Sequence, residues 1–420
     1  MRPIRWAAAL LGVAAIAVSA CSSSATSSGS ASGGSASAGA SSAGGSSAGA
    51  AAASKATGSP YNIGIVCSCS GTNAATITMF SNMIEAWSAS VNAAGGINNH
   101  PVQLFKADDA QNPGTALSAV TKMVTQDHVI AIIDDSNVDA AFGSYISSAK
   151  VPVVGGNLDS DLYASNPYFF TAGGTTDGIP PGIVAAAKTA KVNKLGVMYC
   201  QGVPICAELP PVLQKLGTPE GVNISYSGAI PSAAPNYTAP CLAAEQSGAN
   251  GVFVANGPPQ TLAVVESCAA QGYKPTYIAA ENSLANSLLG NSAINGAVGE
   301  LTNLSATDTA NPEIAAMDQA LNTYKPGLTS SAEYNPGATM MWAAGLLFQA
   351  AAKAGNLGDN PTPANVLTGL YALKGETLGG LTAPLTFKQG KPTSLPCWFY
   401  FQVKDGKFAT LGTSYTCASA

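Results

Sequence analysis

The chain has 420 residues, of which 46% are hydrophobic and 10% are charged, and its formal net charge is −5. This length fits two lobes of ordinary size, and the composition is sufficient to bury a core. Because no basic run occurs beyond the extreme N-terminus, we expect no nucleic-acid partner.

The first twenty residues have the composition of a secretory signal. Arg2 and Arg5 precede an apolar segment, 6–20, that is too short to span a bilayer comfortably as a mature helix. The segment ends in VSAC, which resembles the bacterial lipobox, whose cysteine is acylated and becomes the new N-terminus. We predict a lipoprotein signal peptide over 1–20 and lipidation at Cys21. The alternative is an ordinary signal peptide beside an incidental cysteine.

A tether is predicted over residues 21–58, which are almost wholly Ser, Gly and Ala after the cysteine. The segment has no apolar periodicity and is typical of a flexible coil. A coil of about 37 residues reaches roughly 30–35 Å, enough to hold a folded domain off a membrane.

The chain has nine cysteines, and removal of Cys21 leaves an even number in an exported protein. An oxidising compartment favours disulfides. The candidate pairs are Cys200 with Cys206, Cys241 with Cys268, and Cys397 with Cys417. Cys67 and Cys69 remain, although a bond across a single residue is strained. No CxxC occurs and the chain has two histidines, so we expect no metal site.

Strands and helices alternate from about residue 60. Short apolar runs predict strands at 61–67, 100–110, 129–134 and 151–156. Helical spacing predicts helices at 73–96, 112–126 and 138–150; the first carries Ile77, Phe80, Ile84, Trp87 and Val91, and the second begins with Asn112 as N-cap and Pro113 at the first helical position.

The same pattern then begins again. Strands are predicted at 194–200, 222–230, 249–256 and 275–282, and helices at 179–192 and 204–217, the latter interrupted by prolines. Two long helices are then predicted, at 311–324 and 335–354, and they depart from the alternation of strands and helices. The chain ends in a hairpin that turns at Asp405-Gly406.

This repetition predicts an α/β protein with parallel sheets that carry helices on both faces. Two runs of it indicate two doubly wound lobes joined by three crossover strands, near 172–178, 302–310 and 376–392. The late helices are expected to return to the first lobe and the hairpin to the second. The N-terminal lobe would comprise 59–175 and 305–385, and the C-terminal lobe 176–304 and 386–420.

Polar and small residues follow the predicted strands. They occur at 68–71, 134–137, 155–157, 201–202, 256–257 and 281–282. Ligands of open parallel sheets bind beyond the carboxyl ends of the strands. Each of these residues could instead cap the next helix, but six such strand ends in two lobes favour a cleft.

A resemblance to a known family emerges at this point. The segment VNAAGGINNHPVQLFKADDAQNPGTALSAVTKMV, at 91–124, resembles the helix–GGI–strand–DD–helix segment of type I periplasmic binding proteins. These are the leucine/isoleucine/valine-binding proteins and relatives that serve ABC importers. The resemblance continues through VIAIID, Ser136 and VPVVGGN, and covers nearly the whole chain after the tether.

The resemblance implies a ligand site. Ser136 would contact an amino-acid α-carboxylate, backbone groups at Gly156 and Asn157 would contact the ligand, and Glu281 would pair with the α-ammonium. Glu281 could instead be a solvated acid at a helix start. We expect Glu281→Ala to weaken amino-acid binding far more than Glu300→Ala.

The full set of candidate ligand-binding residues is Ser70, Thr76, Ser136, Asn137, Gly156, Asn157, Gln201, Asn256 and Glu281. Aromatic residues that some family members place over the ligand are not evident near Thr76, 204–205 or 256–258. A branched-chain amino acid is therefore the default ligand, and another small polar molecule or an amide remains an alternative.

The predicted function is that of a lipid-anchored solute-binding protein on the extracytoplasmic face of the cell membrane, which delivers its ligand to ABC permease subunits. A tethered sensor with the same cleft is the alternative, which gene neighbourhood would separate. We expect no cofactor and no enzymatic activity, because no Gly-x-Ser-x-Gly elbow follows a predicted strand and no phosphate-binding loop occurs.

Overall fold

The computed structural model describes residues 55–71, 74–158, 160–201 and 204–418. The predicted signal peptide, Cys21 and most of the predicted tether lie outside the described residues. Within these ranges, the helices are too short or too polar to cross a membrane.

The first sheet contains five strands, and short helices connect them. The strands are β1 (Tyr61–Cys67), β2 (Val102–Asp108), β3 (Ala131–Asp135), β4 (Val153–Gly156) and β5 (Phe169–Phe170). The helices are α1 (Ala74–Ala93), α2 (Pro113–Thr125), α3 (Gly143–Ala149) and α4 (Leu162–Ser165). All pairings are parallel, in the order β2-β1-β3-β4-β5.

Helices cover both faces of this sheet. Ile132 and Ile133 are neighbours on β3 and therefore point to opposite faces. Ile132 belongs to a buried cluster with Val120 of α2, and Ile133 to one with Trp87 of α1. This two-sided burial explains why the strands read as continuous apolar runs rather than as alternating ones.

The second sheet is larger. Its strands are β6 (Lys194–Cys200), β7 (Asn223–Ile230), β8 (Gly251–Ala255), β9 (Thr276–Ala279), β10 (Val298–Leu301), β13 (Cys397–Lys404), β14 (Lys407–Thr410) and β15 (Thr416–Cys417). The connecting helices are α5 (Ile179–Thr189), α6 (Pro204–Gly217), α7 (Thr238–Gln246) and α8 (Pro258–Ala270). The order is β14-β13-β10-β9-β8-β6-β7, with β15 paired to β13. Strands β6 to β10 pair in parallel, while the terminal strands pair antiparallel.

The late helices pack against the first sheet. They are α9 (Pro312–Tyr324), α10 (Thr339–Ala354) and α11 (Pro363–Ala372), and a small antiparallel pair follows, β11 (Lys374–Glu376) and β12 (Leu385–Thr386). Helix α10 contacts α1 and β4, and α9 contacts α1. The predicted α/β fold class is confirmed, whereas the exact lobe boundaries stay a prediction.

Three segments of chain pass between the two sheets and lie side by side. The backbone N–H of Gly174 donates to Thr302 O, that of Thr175 to Leu395 O, and that of Leu304 to Leu381 O, each at 2.9 Å. Asn303 is 1% exposed, and its side-chain amide donates to the carbonyls of Ala172 and Leu381. One buried amide therefore ties all three crossing segments together.

Two predicted helices differ from those observed. One helix was predicted over 138–150, and the structure instead has a 3₁₀ turn, Asp139–Ala141, followed by α3. The prolines predicted to interrupt 204–217 lie inside a continuous α6. Proline has a φ compatible with a helix, and α6 packs against α5, β6 and β7 with Leu213 buried.

The described residues contain four disulfides, with the predicted pairings. They join Cys67 to Cys69, Cys200 to Cys206, Cys241 to Cys268, and Cys397 to Cys417. The first lies at the carboxyl end of β1, and the second joins the carboxyl end of β6 to α6.

Removal of the disulfide between α7 and α8 is expected to destabilise the fold. Both sulfurs are fully buried, and the bond closes a loop with a sequence separation of 27. Cys241→Ala with Cys268→Ala should cost about 2–4 kcal/mol in the free energy of unfolding by urea. Cys200→Ala with Cys206→Ala, which opens a separation of only 6, is the matched control. A larger loss in the control pair would contradict this prediction.

Candidate functional site

A cavity of about 360 Å³ lies where the carboxyl ends of the two sheets face each other. The first sheet contributes residues after β3 and β4 together with the start of α1. The second contributes residues after β8 and β9 together with β10. Five predicted ligand-binding residues line the cavity: Thr76, Asn137, Asn157, Asn256 and Glu281.

Ser136 does not line the cavity. It is fully buried, and its hydroxyl donates to Asp109 Oδ2, while Ser68 donates to Asp109 Oδ1 at 2.8 Å. The backbone N–H of Asn137 donates in turn to Ser68 Oγ. This network joins the loops after β1, β2 and β3, so the placement of Ser136 gives it a positioning role beneath Asn137 rather than a contact with the cavity.

Gly156 is also part of the scaffold. Its φ is +138°, and a Cβ there would lie 2.0 Å from the carbonyl oxygen of Asp134. The backbone N–H of Asn157 donates to this same oxygen at 2.8 Å. Glycine is therefore required for the close approach of β4 to β3, which places Asn157 at the cavity wall.

Ser70 and Gln201 lie away from the cavity lining. Ser70 is half-buried, and its N–H donates to Asp108 Oδ1; Gln201 is exposed, and its N–H donates to Ile230 O. Each follows a strand end that carries a disulfide. Of these cysteines, Cys206 lines the cavity.

The wall from the first sheet presents neutral polar groups of Thr76, Asn137 and Asn157 beside apolar side chains of α1 and the segment after β4. The side-chain amide of Asn157 donates to Asn137 Oδ1 at 3.3 Å. The Thr76 hydroxyl donates to Glu333 Oε2 at 3.1 Å. The side-chain amides of Asn137 and Asn157 can pair with either a hydrogen-bond donor or an acceptor on a ligand.

Glu281 is the predicted acid of the opposite wall. Its side chain is 6% exposed, and Oε1 accepts a hydrogen bond from Thr302 Oγ1 at 2.6 Å. Burial raises the pKa of the Glu281 carboxyl to about 7, although the Thr302 hydrogen bonds act in the opposite direction. Thr302 belongs to a crossing segment, so Glu281 links the cavity directly to the connection between the sheets.

A glycine in the turn before α10 lies against Glu281. A Cβ at Gly337, in the turn before α10, would lie 2.7 Å from Glu281 Cγ. Glycine at this position therefore lets the turn approach the acid closely. The Glu281 side chain therefore lies between this turn and the crossing segment that carries Thr302.

Glu300 is a second acid in the cavity that sequence reasoning did not assign. It lies on β10, is fully buried and lines the cavity. Neither of its carboxylate oxygens makes a hydrogen bond of normal geometry with the described residues. Burial, followed by the negative charge of Glu281, raises its pKa well above the usual value, and only the Glu281 backbone N–H opposes this. The sequence suggested Glu300→Ala as a neutral comparison for Glu281→Ala, and it is therefore not one. The signal available in the sequence was an acid inside an otherwise apolar strand.

Two amides complete the polar lining. Asn256 Nδ2 and Asn282 Oδ1 are buried and have no hydrogen-bond partner among the described residues. Buried polar atoms are normally paired, so these atoms are candidate contacts for a bound molecule. The described ranges contain no group of three or more His, Cys, Asp and Glu side chains placed to hold a metal ion.

The two acids predict a pH-dependent stability of the ligand-free protein. Both carboxyls bind protons more tightly in the folded chain than in the unfolded one, because burial raises their pKa. The contribution of the two protonated carboxyls to the free energy of unfolding is complete below pH 4.5. It falls as the pH rises through about 7, the raised pKa of Glu281. Glu281→Gln with Glu300→Gln should therefore gain stability over wild type across that window, on the order of 3 kcal/mol. Urea unfolding at pH 4.5 and pH 8 measures the free energy of unfolding of both proteins. If the double variant differs from wild type by the same amount at both pH values, the prediction is contradicted.

Comparisons with known proteins point to one family. A family model described as periplasmic binding protein matches residues 60–407. A Leu/Ile/Val-binding protein homologue from Brucella abortus is 26% identical over 253 residues, which cover 54% of this chain and 62% of that protein. The match thus spans less than two thirds of this relative's length.

Solved structures share the fold. A fatty acid ABC transporter substrate-binding protein from Thermomonospora curvata has a TM-score of 0.70 at 16% identity, covering 86% of this chain and 93% of that one. A leucine-binding protein from Thermotoga maritima has a TM-score of 0.68 at 13% identity, covering 85% and 98%. These proteins are described by chemically different ligands, so the likeness concerns the fold.

Proposed function

The chain belongs to the periplasmic binding protein family, and from this premise we propose that it captures a small organic ligand in the cavity between its two sheets. The observation that carries the proposal is Glu281. Its carboxylate is buried, lines the cavity and lies against the turn that leads into α10, the helix that contacts β4 of the first sheet. A charged group so placed is suited to bind a ligand that bridges the two sheets.

Binding would proceed by domain closure. The ligand contacts walls from both sheets, the three crossing segments bend, and water leaves the cavity. Asn303 keeps these segments in register, because its amide bonds to two of them while it lies on the third. The hydrogen bond from Thr302 to Glu281 couples the charged wall to this hinge.

The default ligand is an amino acid or an amide. An α-ammonium group would donate to Glu281, and the polar end of the ligand would meet Asn137 and Asn157. The Leu/Ile/Val-binding homologue in Brucella abortus supports this class. Ser136 and Gly156 are not included among the direct contacts, because their groups serve the scaffold.

Delivery would involve a membrane partner. We propose an extracytoplasmic, lipid-anchored protein that presents its closed form to ABC permease subunits. Four disulfides support an oxidising compartment. A fatty acid ABC transporter substrate-binding protein shares the fold, and gene neighbourhood would separate transport from sensing.

A thermal-shift screen tests this proposal. Amino acids, amides, aromatic acids and amines are added to the whole mature chain, since a ligand that binds only the folded state raises Tm by an amount that grows with the logarithm of its concentration over Kd. Calorimetry then measures Kd for each compound that raises Tm. At least one compound should bind with a stoichiometry of one and lose affinity in a Glu281 variant; binding unaffected by Glu281 would contradict the assigned site.

A further inference from the structure

All formal charges that line the cavity are negative. Among the described lining residues, Glu281 and Glu300 are the ionisable ones, and neither a lysine, an arginine nor a histidine is present. Glu281 has a hydrogen bond from Thr302 on one oxygen, whereas Glu300 has none of normal geometry on either oxygen. The protein thus places two acids at one cavity and supplies no opposite charge within it.

The described elements packed around Glu300 carry two cations, both exposed: Lys188 of α5 pairs with Glu220, and Lys404 ends β13. Gly182 of α5 packs against it, since a Cβ there would lie 3.0 Å from Glu300 Cγ. The neighbouring strand β13 places Tyr400 directly across from Glu300 and Trp398 beside Gly182. A buried carboxylate without a partner is costly, and such groups normally have a counter-charge or hydrogen bonds.

We propose that the cavity binds an organic cation, whose ammonium or guanidinium group donates hydrogen bonds to both Glu281 and Glu300. This inference rests on the proposed ligand-binding function and names the class of its ligand. An α-amino acid with a neutral side chain brings one positive group together with a negative one, and therefore leaves the second acid uncompensated. A ligand with net positive charge satisfies both.

The remaining lining favours an organic ion over a bare metal ion. Ile77, Phe80, Leu158 and Phe253 line the same cavity and offer hydrocarbon surface. A metal ion would need more oxygen ligands than two carboxylates provide, and would gain nothing from these side chains. The unpartnered oxygen of Asn282 is a further acceptor for an N–H group.

Proton release is an independent consequence. Burial favours the protonated form of both acids in the empty cavity. A cation that binds the carboxylates must displace these protons, so its affinity should increase as the pH rises from 6 to 8. A neutral ligand has no such requirement.

Calorimetry with matched probes tests the inference. The pair is n-butylguanidinium and n-butylurea, which are similar in shape and differ in charge; n-butylammonium separates the two cationic head groups, and leucine represents neutral amino acids. At least one cation should bind at least tenfold more tightly than butylurea and release protons, measured as an enthalpy that depends on the buffer. Glu300→Gln should reduce this cation's affinity at least tenfold and leave that for butylurea unchanged, whereas Glu266→Gln, exposed on α8, should alter neither.

The opposite results separate this inference from the proposed function. If neither cation binds more tightly than butylurea, the inference is wrong. It is also wrong if Glu300→Gln keeps full affinity for the cation while its melting temperature shows that the protein is folded. Leucine or an amide that binds without proton release and closes the protein would preserve the proposed function and overturn the inference. Failure of every screened ligand to close the protein would overturn both.

Discussion

Glu281→Ala is expected to lower ligand affinity by about two orders of magnitude. The side chain is 6% exposed, already oriented by Thr302, and aimed into the cavity. Truncation of one member of a buried, hydrogen-bonded charge pair typically costs about 2–5 kcal/mol, and each 1.4 kcal/mol corresponds to about tenfold in Kd. Calorimetry with the ligand identified by the thermal-shift screen measures this loss directly.

The control for this prediction is Glu266→Ala. Glu266 lies on α8, the helix that follows β8 of the second sheet. It is exposed and does not line the cavity. Its removal changes the net charge by the same amount and should leave Kd within about twofold, because exposed charges are screened. Equal losses in the two variants would show that the effect comes from overall charge rather than from the cavity.

Gly156→Val is expected to destabilise the fold by more than about 4 kcal/mol, the range of the largest single-residue effects. The added Cβ would lie 2.0 Å from the Asp134 carbonyl oxygen, and the φ of +138° is itself strained for a residue with a side chain. Neither β3 nor β4 can move away easily, since both are fully buried. Urea unfolding followed by circular dichroism measures the loss.

Gly290→Ala is the matched control. A Cβ at Gly290 would meet nothing within 4 Å, and its φ is not positive. The change should leave the free energy of unfolding within about 0.5 kcal/mol. If Gly156→Val unfolds like wild type but loses the ligand, then Gly156 acts in binding, as the sequence suggested, and its assignment to the scaffold is wrong.

Most of the fold follows from local sequence patterns. The apolar runs at β1, β3 and β6 mark strands buried on both faces, and Asn112 caps α2 as its position before Pro113 indicates. The terminal hairpin turns at Asp405-Gly406, where both residues have positive φ. These features depend on neighbours in sequence, which a single chain reveals.

Tertiary context determined the features that were missed. The predicted helix at 138–150 begins as a 3₁₀ turn because Asp139 is drawn into a buried network, where Ser160 donates to its carboxylate. Helix α6 continues through Pro210 and Pro211 because its packing outweighs two missing donors. Neither influence has a signature at short sequence separation.

The site was predicted in part, for a physical reason. Residues that follow strands line the cavity, as Asn137, Asn157 and Asn256 show, and their role in ligand binding stays a prediction. Sequence does not reveal how a side chain at such a position is used, so Ser136 was not distinguished from its neighbour. Glu300 lies inside a strand, where the strand-end argument does not apply, and only the packing of β10 turns it toward the cavity.

Small-angle X-ray scattering with and without ligand tests the central claim most directly. The claim is that a ligand bridges two walls on different sheets and closes the molecule about three crossing segments. Saturating ligand should reduce the radius of gyration of the wild-type protein, and the same concentration should leave Glu281→Ala unchanged. A ligand that binds wild type with calorimetric saturation but does not alter its radius of gyration would contradict the account.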